Sequence, residues 1–169
     1  IFYAFLLISY LGNAQGLTPF KHNYKYGYKD ESGKIIVPAK YDYANSFKEG
    51  LAQVQLKSKH GFIDKTGKEV IALDYDAADA FHEGLARVRS KAYNKMGFDM
   101  WGYIDQTGKI IIPIKYDNAS NFIKGEATVW LNNKQLIINK NGKELTPLKY
   151  DGSLPTSEGI QLVYNGKYP

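Results

Sequence analysis

The stretch Trp101-Gly102-Tyr103-Ile104-Asp105-Gln106-Thr107-Gly108-Lys109 decides the fold, because the chain repeats its pattern four times. Aromatic and β-branched residues in its first half favour a short strand. The Asp-x-x-Gly sequence that follows is typical of a type I turn closed by a left-handed glycine. Ile110 to Ile112 then returns the chain as a second strand. The stretch therefore predicts a β-hairpin.

Four pairs of glycines mark the repeats, and the members of each pair are 17 residues apart. The pairs are Gly33 and Gly50, Gly67 and Gly84, Gly108 and Gly125, and Gly142 and Gly159. They predict four units, at about residues 24–57, 58–98, 99–132 and 133–166, with one insertion between Arg89 and Trp101. Such repetition predicts a core that neighbouring units share, because a single unit cannot bury its own apolar face.

Each unit continues beyond its hairpin. A proline at Pro38, Pro113 and Pro147, replaced by Ala72 in the second unit, is expected to end the strand because it lacks an N–H donor. The pattern Tyr-Asp-x-Ala-x-x-Phe follows and predicts a connector with one turn of helix or 3₁₀ helix. Alternating Ala and Val after the second glycine predict a third, half-buried strand.

These segments predict an all-β fold. We expect about four three-stranded antiparallel meanders, stacked as an open, solenoid-like array. A closed β-propeller is the alternative. The segment from Tyr164 to Tyr168 looks like the start of another hairpin, which favours the open array.

The units resemble the WG repeat family, whose units read Lys-Trp-Gly-aromatic-Ile-Asp, then Gly-Lys, Tyr-Asp and Glu-Gly-Leu-Ala-x-Val. Trp101 to Lys109 matches the first part, Glu83 to Val88 matches the last, and the resemblance covers about residues 24–168. Departures are Tyr26, His60 and Gln135 at the tryptophan position, and Leu136 and Thr156 in the fourth unit. The resemblance implies tandem β units with a binding or scaffolding role, and no defined catalytic residues.

The N-terminal residues 1–14 are typical of a signal peptide whose start is missing. Ile1 to Leu11 is apolar and uncharged, and Gly12-Asn13-Ala14 supplies the small residues of a cleavage site before Gln15. We expect an exported protein, located in the periplasm, at the cell surface or outside the cell. Residues 15–169 would then form one repeat domain with no stable membrane span; a truncated transmembrane anchor is the alternative.

Composition limits the chemistry. The chain has no cysteine, which excludes disulfides, thiolate catalysis and sulfur-ligated metals. A net charge of +5 suits a polyanionic partner, and a lysine follows each turn glycine. These residues, Lys34, Lys68, Lys109 and Lys143, predict one basic edge; protection of strand edges against aggregation is the alternative. Because export is expected, a nucleic-acid partner is not.

We expect no catalytic residues, no metal and no cofactor. Asp30, Asp64 and Asp105 lack the spacing of a calcium loop and are interpreted as turn-forming residues. His60 takes the place of a packing aromatic, and neither Gly-x-Ser-x-Gly nor His-Glu-x-x-His occurs. A hydrolase cleft formed by converging carboxylates is left as an alternative.

Residues that differ among the units are the candidate ligand-binding residues. On the third strand they lie opposite in parity to the buried valines and are expected to face outward; two more belong to the insertion. The set is Arg87, Arg89, Trp130, Tyr164, Tyr93 and Phe98. Trp, Tyr and Arg dominate binding hot spots, although a neighbouring sheet or connector could instead cover this face.

The sequence therefore predicts a non-enzymatic, exported repeat module that binds protein or glycan at the bacterial envelope. Binding of an anionic polysaccharide through the lysine edge is the first alternative, and an envelope hydrolase is the second. The oligomeric state is left open.

Overall fold

A computed structural model describes residues 16–90, 99–132, 134–145, 152–155 and 161–164, the last two ranges by their backbone only. All regular elements in these residues are strands, so the all-β prediction is confirmed. The strands are β1 (Thr18–His22), β2 (Lys25–Lys29), β3 (Ile35–Tyr41), β4 (Tyr43–Ala44), β5 (Ala52–Leu56), β6 (Lys59–Ile63), β7 (Glu69–Tyr75), β8 (Ala77–Ala78), β9 (Ala86–Ser90), β10 (Met100–Ile104), β11 (Ile110–Tyr116), β12 (Asn118–Ala119), β13 (Glu126–Leu131), β14 (Lys134–Asn139), β15 (Gly152–Pro155) and β16 (Gln161–Tyr164).

The strands form a tandem series of antiparallel sheets, and the described residues form no closed barrel. Their orders are β1-β2-β3, β4-β5-β6-β7, β8-β9-β10-β11, β12-β13-β14 and β15-β16. Each four-stranded sheet combines the end of one predicted unit with the hairpin of the next. The third strand of a unit therefore pairs forward along the chain, with β5 on β6, and does not pair with the hairpin of its own unit.

The hairpin turns have the predicted geometry. In the third unit, Gly108 has φ of 85° and donates its N–H to the carbonyl of Asp105 at 2.9 Å. The carboxylate of Asp105 accepts the N–H groups of Thr107 at 2.9 Å and Lys109 at 3.0 Å. The same bonds recur at Asp30, Asp64 and Asn139. The turn-forming interpretation of these residues is confirmed.

The predicted helical turn in the connector was wrong. In the first connector, the two-residue strand β4 pairs with β5, and Asp42 donates its N–H to the carbonyl of Gln55 at 2.8 Å. Asn45 donates in the same way to Gln53 at 3.0 Å. The connector thus satisfies its backbone groups on a neighbouring strand, and a helical turn is not needed to do so.

The prediction that proline ends the returning strand was also wrong. Pro38 lies within β3, where the pairing with β2 passes from Val37 opposite Tyr28 to Tyr41 opposite Tyr26. Four steps along β3 therefore match two steps along β2, which is a bulge. A bulge on an edge strand leaves backbone groups out of the ladder, so proline is tolerated there.

In the first three units, the glycine that follows the tryptophan position lies opposite a bulge of this kind. A Cβ atom at Gly102 would lie 2.7 Å from the Ile112 carbonyl oxygen and 2.7 Å from the Cα of Ile114. Gly27 and Gly61 meet the backbones of β3 and β7 in the same way. Close approach of two backbones, and not a positive φ, requires glycine at these positions.

Aromatic pairs join successive sheets. Phe62 in β6 packs on Phe81, which follows β8 in the next sheet, with ring centroids 4.8 Å apart. Tyr103 and Phe122 repeat the contact at 4.8 Å, and Tyr103 also donates its hydroxyl to the Ser120 carbonyl at 2.6 Å. The apolar clusters around these rings combine residues of two sheets. The core is therefore shared between sheets, as the repetition predicts.

A row of carboxylates adds polar links between the units. Glu49 accepts the N–H groups of Glu83 at 2.7 Å and Gly84 at 2.8 Å. Glu83 then accepts the N–H of Gly125 at 2.8 Å, and this bond lowers the pKa of Glu83. The turn of one unit therefore holds the turn of the next.

Replacing Tyr24 with glycine is expected to stabilise the protein. Tyr24 follows Asn23 in the turn between β1 and β2, has φ of 62° and is 88% exposed. Both turn residues have positive φ, for which Asn-Gly is the preferred sequence, so Tyr24→Gly should raise the free energy of unfolding by about 1 kcal/mol. Urea denaturation measures the change. Tyr43→Gly, within β4, is the control and should destabilise the fold; a loss of stability in Tyr24→Gly would contradict the prediction.

Candidate functional site

The same side-chain cluster recurs on three successive sheets. The residue at the tryptophan position is directly opposite one residue of the preceding strand and diagonal to a second one. The three clusters are His60 with Gln53 and Gln55, Trp101 with Arg87 and Arg89, and Gln135 with Thr128 and Trp130. We name each cluster by its central residue. Because the backbone frame is shared, the clusters differ mainly in side-chain chemistry.

The Trp101 cluster carries two guanidinium groups on one indole ring. The guanidinium carbon of Arg87 lies 4.6 Å from the ring centroid, and that of Arg89 lies 5.6 Å from it. Both distances fall in the range of cation–π interactions. The prediction named Arg87 and Arg89, and the structure brings them together on Trp101, which the prediction did not include.

Arg87 links two sheets. Its Nε donates to Asp79 Oδ2 at 2.7 Å, and its Nη1 donates to the carbonyl of Ala119 in the following sheet. The side chain is 25% exposed. The connector around Ala119 therefore covers part of the face that was expected to be outward, and Arg87 has a structural role there.

Among the described residues, Arg89 has fewer polar partners than Arg87. Its Nη1 lies 3.7 Å from Asp99 Oδ2, and its side chain is 35% exposed. Its Nε is buried and has no hydrogen-bond partner among the described residues. A guanidinium offers five N–H donors, so Arg89 retains donor capacity that Arg87 has already used.

The His60 cluster is a hydrogen-bonded chain of neutral groups. Asn45 Nδ2 donates to Gln53 Oε1 at 2.7 Å, and Gln53 Nε2 lies 2.8 Å from His60 Nδ1. Gln55 Nε2 lies 3.1 Å from His60 Nε2. The parity argument that predicts outward side chains on the third strand applies equally to Gln53, but Gln53 is only 2% exposed, so that expectation was wrong for this residue. Burial, and then the positive charge of Arg89, lower the pKa of His60.

Stability is expected to fall when the pH drops below the ordinary histidine pKa of about 6.5. Because the pKa of His60 is lowered by folding, the unfolded chain binds the proton more readily, and acid favours unfolding. Urea denaturation at about pH 7.5 and pH 5.5 measures this difference. His60→Gln should reduce the pH dependence. Glutamine is already the residue at the equivalent position of the fourth unit, Gln135, so the fold should accept it. An unchanged dependence would contradict the assignment to His60.

The other predicted ligand-binding residues are dispersed or lie outside the described side chains. Trp130 lies opposite Gln135 and Asn118 and is half-buried. Tyr164 lies in β16 opposite Gly152, where only the backbone is described. Tyr93 and Phe98 fall outside the described residues. Trp101 could have been found from strand parity if the register between β9 and β10 had been known, because it is directly opposite Arg89. The insertion between these two strands prevents that register from being read from the sequence.

The four lysines of the predicted edge are all exposed. They occupy equivalent turn positions, and successive turns pack against the preceding sheet: a Cβ at Gly108 or Gly142 would lie 3.5 Å from Ile71 or Ile112. Carboxylates alternate with the lysines, because Asp30, Asp64 and Asp105 start the same turns. Their pKa values are lowered, chiefly by side-chain hydrogen bonds and less by the lysines. The edge is therefore mixed in charge.

Within the described residues, no group of three or more histidine, aspartate or glutamate side chains could hold a metal ion. The same part of the chain contains no helix long and apolar enough to cross a membrane.

Comparisons with known proteins identify the repeat. A search of curated proteins found no match. A crystal structure of a protein of unknown function from Bacteroides caccae is similar at 16% identity and a TM-score of 0.34, over 90% of this chain and 65% of that chain. The match is too weak to carry an argument. The family model of the WG containing repeat matches residues 26–59, 61–91, 101–134 and 137–168. The chain belongs to the WG-containing repeat family.

Proposed function

We propose that this repeat module is a non-enzymatic binding protein of the bacterial envelope, and that it binds a carboxylate-bearing glycan at the Trp101 cluster. The observation that carries the proposal is the difference between the two arginines. Arg87 is bonded to Asp79 and Ala119, whereas Arg89 is partly exposed and has one ion pair at 3.7 Å among the described residues.

The chemistry of the cluster suits an acidic sugar. A guanidinium pairs with a carboxylate through two parallel hydrogen bonds, and an exposed Arg89 can offer its terminal N–H groups in this way. Trp101 beside it is half-buried and supplies an apolar surface for a sugar ring. The half-buried Gln55 amide of the neighbouring His60 cluster adds a hydrogen-bonding group for a sugar hydroxyl.

The proposal of a non-enzymatic role rests on the state of the carboxylates. A general acid needs a raised pKa, whereas every described carboxyl group with a resolved shift has a lowered pKa. These groups are Asp30, Asp42, Asp64, Glu83 and Asp105. Each accepts hydrogen bonds from a turn or a neighbouring backbone, as a structural carboxylate does. Incubation with an oligouronate should therefore release no new reducing ends, and their appearance would support the hydrolase alternative.

Calorimetric titration with tetragalacturonate at about 0.15 M salt tests the binding site. Arg89→Gln introduces the residue that the equivalent position of the first unit already has, Gln55, so the fold should tolerate the change. We expect it to weaken binding at least tenfold, since a charge-assisted hydrogen-bonded pair is lost. Binding that is unchanged in Arg89→Gln would refute the site.

The lysine edge is the second candidate site, because all four of its lysines are exposed. A variant with Lys34, Lys68, Lys109 and Lys143 all changed to glutamine separates the two. If this variant loses binding while Arg89→Gln retains it, and if added salt weakens binding steeply, the edge is the binding surface.

Export is proposed from the composition of residues 1–14. N-terminal sequencing of the protein recovered from the envelope fraction tests it. The expected first residue is Gln15; recovery of the uncleaved chain from the cytoplasm would contradict export.

A further inference from the structure

Three equivalent strands lie at the edges of their sheets in the described chain: β3, β7 and β11. β3 and β11 contain Pro38 and Pro113, and proline protects an edge because it offers no N–H donor. β7 has Ala72 at the equivalent position. Because proline is accepted there in two other sheets, the fold does not need the N–H of Ala72.

A groove of about 240 Å³ adjoins this edge. It is lined by Thr107 and Gly108 of the next hairpin turn and by five residues of β7: Val70, Ile71, Ala72, Asp74 and Tyr75. Val70 is 39% exposed, so the groove offers apolar contact next to the backbone of an edge strand.

The charge of this edge differs from that of its counterparts. β7 carries the exposed acidic residues Glu69 and Asp74. The equivalent positions are Ile35 and Lys40 in β3, and Ile110 and Lys115 in β11. Within β7 the exposed charged side chains are therefore acidic, whereas the exposed Lys68 precedes the strand and the exposed Lys109 follows the turn that lines the groove.

We propose that the outer edge of β7 binds an extended, basic segment of a partner protein as an added strand. The added strand would hydrogen-bond to the β7 backbone, which includes the N–H that proline removes from the other two edges. Its basic side chains would pair with Glu69 and Asp74, and a small apolar side chain would contact Val70. Charge complementarity selects a basic segment over an acidic one.

Fluorescence anisotropy with a capped, labelled peptide of nine alternating lysine and valine residues tests the proposal. The wild-type chain should bind this peptide and not the matching glutamate–valine peptide. Ala72→Pro, which copies β3 and β11, should weaken binding at least tenfold, whereas Ala72→Ser keeps the N–H and should bind as the wild type does. Asp74→Lys, which also copies β3 and β11, should weaken binding about fivefold.

Circular dichroism and urea denaturation check that the variants fold. Equal binding by Ala72→Pro and Ala72→Ser would overturn strand addition. Equal binding of the lysine and glutamate peptides, or no binding of the lysine peptide to the wild-type chain, would overturn the assignment of a basic partner.

Discussion

Replacing Gly102 with alanine is expected to lower the free energy of unfolding by about 3 kcal/mol or more, a large effect for one added methyl group. The new Cβ would lie 2.7 Å from the Ile112 carbonyl oxygen and from two atoms of Ile114. Both neighbours include backbone, which cannot rotate away as a flexible side chain can. β11 would have to move off β10, and the bulge beneath which Gly102 lies would be lost.

The control is Gly84→Ala. Gly84 has φ of 83°, and a Cβ there would meet nothing within 4 Å. Its substitution carries only the strain of a left-handed backbone, about 1 kcal/mol. Urea denaturation of both variants should therefore rank Gly102→Ala well below Gly84→Ala in stability. Equal losses would contradict the close-approach explanation of the Trp-Gly glycine.

Replacing Phe81 with alanine is expected to cost about 3–5 kcal/mol. Phe81 is 1% exposed, and its ring lies 4.8 Å from that of the fully buried Phe62 in the preceding sheet. Truncation removes apolar contact from the joint between two sheets and leaves a cavity there. Thermal and urea denaturation measure the loss.

Phe81→Leu is the matched variant, since it keeps most of the apolar volume and should cost less than half as much. Hydrogen exchange adds a spatial test: protection should decrease on both sides of the joint, in β6 and in β9. A loss below about 1 kcal/mol in Phe81→Ala, or decreased protection in one sheet alone, would contradict a shared core.

The local parts of the fold could be predicted because their causes are local. The three Asp-x-x-Gly turns and the Asn139-x-x-Gly142 turn are determined by hydrogen bonds within five residues, and all four appear as predicted. The connector could not be predicted in the same way. Its backbone bonds go to β5, so the pairing that makes β4 a strand depends on long-range contacts.

Proline and glycine positions show the same limit. The sequence shows that Pro38 lacks a backbone N–H donor. Only the register between β2 and β3 shows that the strand continues through a bulge there and does not end. The repetition of the Trp-Gly glycine was visible in the sequence, whereas its cause is a backbone across the sheet. Local patterns identify such positions without giving their role.

The candidate site was predicted in part. Parity placed Arg87 and Arg89 on one face, and they do meet on a single ring. Parity could not show that the connector at Ala119 covers Arg87, because the packing of the following sheet determines this. The different partners of these two arginines on the same strand are therefore visible only in the tertiary structure.

Isolating one sheet tests most directly whether the sheets depend on one another for stability. A fragment of residues 42–76 contains β4 to β7 with the pairings that join these four strands, but lacks the neighbours that cover Phe62 and Ile71. Far-ultraviolet circular dichroism and urea titration should show an unfolded chain with no cooperative transition. A cooperative transition in this fragment, with stability close to that of the whole chain, would contradict the account.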